Sequence, residues 1–279
     1  MKKNIINVLK GMIIGVANII PGVSGGTLMI ILGIYEEVID TISHFFSNLK
    51  KNLLFILPLG IGIVLSVLLL SKVISFSLDK YPFATTIFFI GLIIGGLPLL
   101  WKRASASKKN ISNWLVFIIT FGIVLLFTFM RSGDYIVSLT GLDILGYLKL
   151  FIVGMVSAAT MVIPGISGSF VLMLLGYYEP IVNILKDLTN FANLGSNILV
   201  LAPFGIGILV GIVLVAKLLE FLFKKYPVKT NYGVLGFVIA SIISIIMPIL
   251  SVSPSIMEVV IAVILFVLGG IVSYKLGEK

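Results

Sequence analysis

Along this chain, long uncharged apolar runs alternate with short clusters of charge. The runs cover Gly11 to Tyr35, Leu53 to Ser71, Phe83 to Trp101, Ile111 to Met130, Leu150 to Tyr178, Asn197 to Ala216, Thr230 to Met257 and Val259 to Tyr274. A helix needs about 20 apolar residues to cross a bilayer core, so the pattern predicts membrane helices throughout. Two runs are interrupted in the middle, by IPGVSGGT at Ile20 to Thr27 and by IPGISGSF at Ile163 to Phe170. Proline removes a backbone donor and clashes with the preceding turn, and adjacent glycines favour non-helical backbone. Each of these two runs therefore divides into two short helices of roughly ten residues, which at about 1.5 Å per residue reach only the midplane.

The second half of the pattern repeats the first. Pro21, Gly22, Ser24, Gly25, Gly33, Tyr35 and Glu36 match Pro164, Gly165, Ser167, Gly168, Gly176, Tyr178 and Glu179 at an offset of 143. After a two-residue insertion, Pro58, Gly60, Gly62, Lys72, Lys80, Tyr81, Pro82 and Gly91 match Pro203, Gly205, Gly207, Lys217, Lys225, Tyr226, Pro227 and Gly236. Generic apolar similarity does not keep so many prolines, glycines and lysines in order. Residues 1–279 read as one membrane domain, with one repeat over 5–130 and a second over 146–275.

Charge decides whether the interrupted runs cross the membrane or turn back. With two re-entrant hairpins and a cytoplasmic N-terminus, 15 of the 20 lysines and arginines fall inside and 5 outside; if both runs cross, the split is 13 to 7. The second arrangement also puts the loop WKRASASKKN outside, against the positive-inside rule. The expectation is an all-α polytopic membrane protein with both termini cytoplasmic, Trp101 to Asn110 inside and Arg131 to Lys149 outside. Each repeat then holds one re-entrant hairpin and three transmembrane helices. That is an odd number of crossings, so the second repeat is inverted, an arrangement used by secondary transporters for alternating access.

Unwound backbone at membrane depth is tolerated only where protein buries it or where it lines a watery cavity. The hairpin tips offer backbone donors, small residues and hydroxyls at the start of a helix, which suits an anion. The candidate binding residues are Asn18, Pro21, Gly22, Ser24, Gly25, Gly26 and Thr27 from one tip, and Pro164, Gly165, Ser167, Gly168 and Ser169 from the other. The counterpart of Asn18 is Met161, which has no donor to add. The competing reading makes the glycines a device for close helix packing. Lys72 and Lys217 are candidate counter-charges or snorkelling lysines. Glu36 and Glu179 are candidate protonatable coupling groups or surface charges, and Arg131 is a headgroup attractor or an interfacial anchor.

Several classes fall away. The first run is read as a retained helix rather than a cleaved signal peptide, because it is long, lacks a small-residue cleavage site and is echoed later in the chain. The formal charge of +9 sits in clusters between apolar runs, which writes topology rather than a nucleic-acid surface. The chain has no cysteine and a single histidine, His44, so cysteine and histidine metal sites are not expected. No HExxH, GxSxG or Walker GxxxxGK[ST] spacing occurs, and no cofactor is expected.

NIIPGVSGGTLMIILGIYE and MVIPGISGSFVLMLLGYYE, together with the repeated PxGIGI and KYP elements, resemble the bacterial polyprenyl-phosphate translocase family, and the resemblance covers nearly the whole chain. Asn18 to Thr27 looks like the fuller motif, and the second copy departs from it at Ser169 and Phe170. The resemblance implies a multi-pass protein of the bacterial cytoplasmic membrane. It would return undecaprenyl phosphate from the outer to the cytoplasmic leaflet for envelope polymer synthesis, without covalent chemistry. It also implies coupling to an ion gradient, of protons or sodium. Two alternatives stay beside it: a secondary transporter of a small soluble anion, and a membrane lipid phosphatase.

Overall fold

A computed structural model describes residues 2–19, 24–105, 110–130, 136–165, 168–189 and 194–277. The described residues form α1 (Lys2–Ile19), α2 (Gly25–Ile31), α3 (Tyr35–Ser43), α4 (Leu49–Lys80), α5 (Pro82–Ala104) and α6 (Ile111–Phe129) in the first half. The second half holds α7 (Ile144–Val162), α8 (Gly168–Leu174), α9 (Tyr178–Thr189), α10 (Leu194–Lys225), α11 (Pro227–Ile246) and α12 (Ile256–Gly277). Short 3-10 turns cover Phe45–Asn48 and Met247–Ile249. Six helices, α4, α5, α6, α10, α11 and α12, are long and apolar enough to cross a membrane. The chain is a multi-pass membrane protein.

Both helix breaks fall at the IPGxSG segments, between α1 and α2 and between α7 and α8. The helices that follow the breaks are shorter than the sequence suggests. α2 and α8 have seven residues each, and each is closed by a glycine in the left-handed region, Gly33 at φ 70° and Gly176 at φ 74°. The N–H groups of Gly33 and Ile34 donate to the carbonyls of Ile30 and Met29 at 2.9 and 3.0 Å, and those of Gly176 and Tyr177 donate to Met173 and Leu172 at 3.0 and 2.9 Å. This pair of bonds ends a helix wherever a residue with positive φ follows it. Glu36 and Glu179 consequently open α3 and α9 instead of ending the hairpins.

Other boundaries also move. α4 and α10 run on through Lys72 and Lys217 to Lys80 and Lys225, 32 residues each. At their ends Lys80 sits over the Phe76 and Tyr81 rings at 5.5 and 5.6 Å, and Lys225 over Phe221 and Tyr226 at 5.2 and 5.5 Å. The apolar run from Thr230 to Met257 is not one helix, because Pro248 opens a 3-10 turn and the chain leaves the helix until Ile256.

Glycines set the helix pairing, and the pairing recurs in the two halves. A side chain at Gly11 would strike the Leu59 backbone and one at Gly62 would strike Val8; Gly154 faces Phe204 and Gly207 faces Phe151 in the same way. Gly11 meets Leu59 and Gly15 meets Ile63, while Gly207 meets Phe151 and Gly211 meets Met155, so these contacts advance together along both helices, and α1 packs parallel to α4 and α7 parallel to α10. Gly91 rests on Phe266 and Gly95 on Gly270, while Gly236 rests on Phe117. α5 thus pairs with α12, and α11 with α6, each partnership reaching from one half into the other. α5 and α11 are the better buried members, and α6 and α12 expose apolar flanks such as Ile118, Leu126, Val263 and Leu268.

One contact breaks this correspondence. α3 packs across α10, with the Tyr35 ring edge-on to Phe223 at 6.1 Å. His44 Nδ1 lies 3.4 Å from an Asp40 carboxylate oxygen and 3.6 Å from one of Glu220, and Lys224 pairs with Glu220. Among the described residues no comparable packing joins α9 to α4.

Candidate functional site

The start of α2 lies deep in the protein. Ser24 precedes α2 in extended conformation, φ −93° and ψ 125°, and its side chain makes no capping bond. It is 3 % exposed, and its hydroxyl oxygen is buried with no hydrogen-bond partner among the described residues. Gly25, Gly26 and Thr27 follow, all buried. A buried hydroxyl without a partner carries a desolvation penalty of about 1–3 kcal/mol, so an unpaired one at a candidate site marks a place for a ligand or water.

The second tip meets the first. The Gly165 N–H donates to Thr27 Oγ1 at 2.9 Å, across 138 residues of chain. The Tyr35 hydroxyl donates to the Val162 carbonyl at 2.9 Å. Gly165 has φ 82°, and a Cβ there would sit 2.6 Å from the Phe237 carbonyl oxygen, so this turn needs glycine. Pro164 is buried beside it. Ser157 on α7 donates to the Gly168 carbonyl at 3.4 Å, tying the start of α8 back to α7.

The residues singled out by sequence thus divide. Ser24, Gly25, Gly26 and Thr27 are brought to Pro164 and Gly165, with Gly168 at the start of α8. Thr27 Oγ1 bridges the tips as an acceptor rather than standing free. Pro21, Gly22, Ser167 and Arg131 lie outside the described residues, as do the side chains of Asn18, Lys72 and Ser169. Lys217 and Glu179 are exposed on α10 and α9. Glu36 pairs with Arg103 at 2.9 Å, tying α3 to the end of α5. The second half cannot repeat that bond, because the position matching Arg103 is Pro248.

Two participants escape sequence reasoning. Lys10, counted there only as an N-terminal cation, is 4 % exposed and donates to the Leu32 carbonyl at 2.7 Å. It places a positive charge on the carbonyl end of α2, where a cation is favoured. Its counterpart is Val153, and that mismatch was the available signal. Tyr35 matches Tyr178 by sequence, so nothing there distinguished the tyrosine that bridges the tips.

Comparison with known proteins bears on what this site serves. The sequence profile of the VCA0040-like, undecaprenyl phosphate translocase-like family matches residues 14–260. A polyprenyl-phosphate transporter of Staphylococcus aureus is 32 % identical over 278 residues, covering 98 % of this chain and 96 % of that protein. A polyprenyl-phosphate transporter of Vibrio cholerae is 28 % identical over 250 residues, covering 84 % of this chain and 75 % of that protein. No solved structure matches the chain. With the doubled IPGxSG segments inside the matched region, the chain belongs to the undecaprenyl phosphate translocase-like family.

Proposed function

We propose that this chain moves the phosphate headgroup of a polyprenyl phosphate, undecaprenyl phosphate in a bacterial cytoplasmic membrane, from the outer to the cytoplasmic leaflet for reuse. The observation that carries the reading is the buried Ser24 hydroxyl, unpartnered among the described residues, beside the Gly165–Thr27 bridge, in a chain whose relatives are polyprenyl-phosphate transporters. A charged headgroup needs a polar passage through the bilayer, whereas the tail stays in an apolar environment throughout. The headgroup crosses by changing which side the tips face, and no bond is made or broken.

The helix pairing supports re-entrant hairpins. α1 and α4 run parallel, so α4 starts at the end where α1 starts, and the chain between them has gone in and come back. The same holds for α7 and α10. It also supports inversion of the second half: α5 runs with α12, α12 returns against α11, and α11 is the counterpart of α5. Packing of α3 on α10 without an equivalent of α9 on α4 is what one of two exchangeable states looks like. With α3 on the cytoplasmic side, it is the inward path that is shut.

Topology is tested by single cysteines, since the chain has none. Asn48→Cys and Ser105→Cys are expected to react with an impermeant maleimide only from the cytoplasm, and Thr140→Cys only from outside. Labelling of both Asn48 and Ser105 from outside would remove the hairpin. Function is tested by leaflet accessibility of undecaprenyl phosphate in proteoliposomes, with and without imposed proton or sodium gradients. Ser24→Ala is expected to fold normally and to weaken binding of the lipid phosphate by about tenfold, the worth of one hydrogen bond to a charged group. Unchanged binding and transport in that variant would move the headgroup site away from the tips. Competition by inorganic phosphate as strong as by the lipid would favour a small-anion transporter instead.

A further inference from the structure

We infer that a narrow apolar slot between α6, α10 and α11 holds the tail of the transported lipid next to its phosphate; this rests on the polyprenyl-phosphate reading for the identity of the lipid. The slot has a volume of about 240 Å³ and is lined almost wholly by carbon, from Val116, Leu219, Leu222, Gly233 and Phe237. At interior packing density it accommodates about two isoprene units. Its inner wall includes Pro164, the residue before the Gly165 that bonds to the opposite tip. Its mouth carries Lys229, whose ammonium lies 5.8 Å from the Tyr226 ring centre.

The two-fold pattern of the chain makes this slot specific rather than an ordinary gap between helices. At the offset of 145 the counterpart of Gly233 is Phe88, and that of Lys229 is Ala84. In the first half the Phe88 ring fills the equivalent space, close enough that a Cβ at Gly269 would meet it at 3.3 Å. In the second half Gly233 faces Val116 and Thr120 with no side chain of its own. Opening the floor and charging the mouth are thus two departures from the repeat at one place. A branched apolar chain with a single anionic end fits both: its first units lie along the glycine, its phosphate reaches the tips, and Lys229 attracts the anion as it enters or leaves. A straight saturated acyl chain lacks the methyl branches that fill the width beside Gly233, so the slot selects prenyl chains.

The test uses the full chain in lipid nanodiscs with a photoreactive diazirine analogue of farnesyl phosphate, and the corresponding alcohol, followed by peptide mapping. Crosslinks are expected on Val116, Leu219 and Phe237, and excess unlabelled farnesyl phosphate should displace them while a straight-chain alkyl phosphate should not. Gly233→Phe, which restores the counterpart residue, is expected to reduce these crosslinks about tenfold through loss of the buried apolar volume, with folded yield followed by gel filtration. Lys229→Ala is the variant expected to leave the helix packing intact, since Lys229 is exposed. It should keep the crosslink sites and lower the preference for the phosphate over the alcohol by about two- to fivefold. The alcohol separates the two readings: if it labels the slot and Ser24→Ala leaves phosphate binding unchanged, the slot stands and the headgroup site falls. Crosslinks spread over the lipid-facing flanks of α6 and α12, or slot crosslinks indifferent to both variants, overturn the inference.

Discussion

A valine at Gly165 is expected to remove transport and folded protein together. Gly165 has φ 82° and already lies against the Phe237 carbonyl, 2.6 Å from where a Cβ would be, and near the Val124 side chain. A side chain in the left-handed region costs about 1–2 kcal/mol, and overpacking against a fixed backbone adds about 1–3 kcal/mol. Either the turn opens, which breaks the bond from Gly165 N–H to Thr27, or α11 moves away from the tip. Both outcomes lower thermal stability and abolish headgroup transfer. The contrast with Ser24→Ala is the informative part, because that variant removes a hydroxyl with no partner among the described residues and leaves packing untouched. Measuring melting temperature and transport for both variants separates the scaffold of the tips from their chemistry. Parental stability in Gly165→Val would contradict the close approach to Phe237.

Fastening α3 to α10 is expected to stop turnover without unfolding the protein. With His44→Cys and Glu220→Cys in this cysteine-free chain, a short bis-methanethiosulfonate reagent bridges positions whose native side chains approach to 3.6 Å. If the α3–α10 contact must open once per cycle, the bridged protein is held in one of its two states and transport falls by more than about tenfold. Reduction of the bridge restores it. The uncrosslinked double variant serves as the baseline, since it has already lost the His44–Glu220 contact. Full transport by the bridged protein would mean that α3 stays on α10 throughout the cycle.

The sequence and the structure agree most closely wherever backbone chemistry acts locally. Proline and glycine in IPGVSGGT and IPGISGSF forced a break in both runs, and the helices stop there. The matched glycines at Gly62 and Gly207, or Gly91 and Gly236, turned out to be points where backbones touch, which the packing interpretation of small residues anticipates. The place where α2 and α8 end was missed because Gly33 and Gly176 sit inside apolar runs that hydropathy cannot divide. The lengths of α4 and α10 were missed because Lys72 and Lys217 interrupt the apolar pattern without interrupting the helix. The largest omission was Lys10. Charge counting assigns a lysine to a side of the membrane, and only three-dimensional packing shows that this one points inward to the end of α2. The one-sided contact of α3 with α10 was beyond reach for a different reason: the repeat matches α3 to α9 and α10 to α4, and nothing in the sequence distinguishes the pair that packs from the pair that, among the described residues, does not.

The crossed partnership of the halves has a consequence for biosynthesis. α5 leaves the ribosome early, yet the surface that receives Gly91 and Gly95 is supplied by Phe266 and Gly270 on α12, the last of the described helices in chain order. The first half therefore waits in the bilayer with the glycine face of its best-buried helix uncovered for most of translation, and sequence separation this long makes the closing step slow. During that interval the exposed glycine faces of α5 are the natural targets for insertion chaperones and for quality-control proteases. A nascent chain stalled before residue 256 should accumulate as a protease-sensitive intermediate, and resistance should appear abruptly, rather than helix by helix, once α12 has emerged.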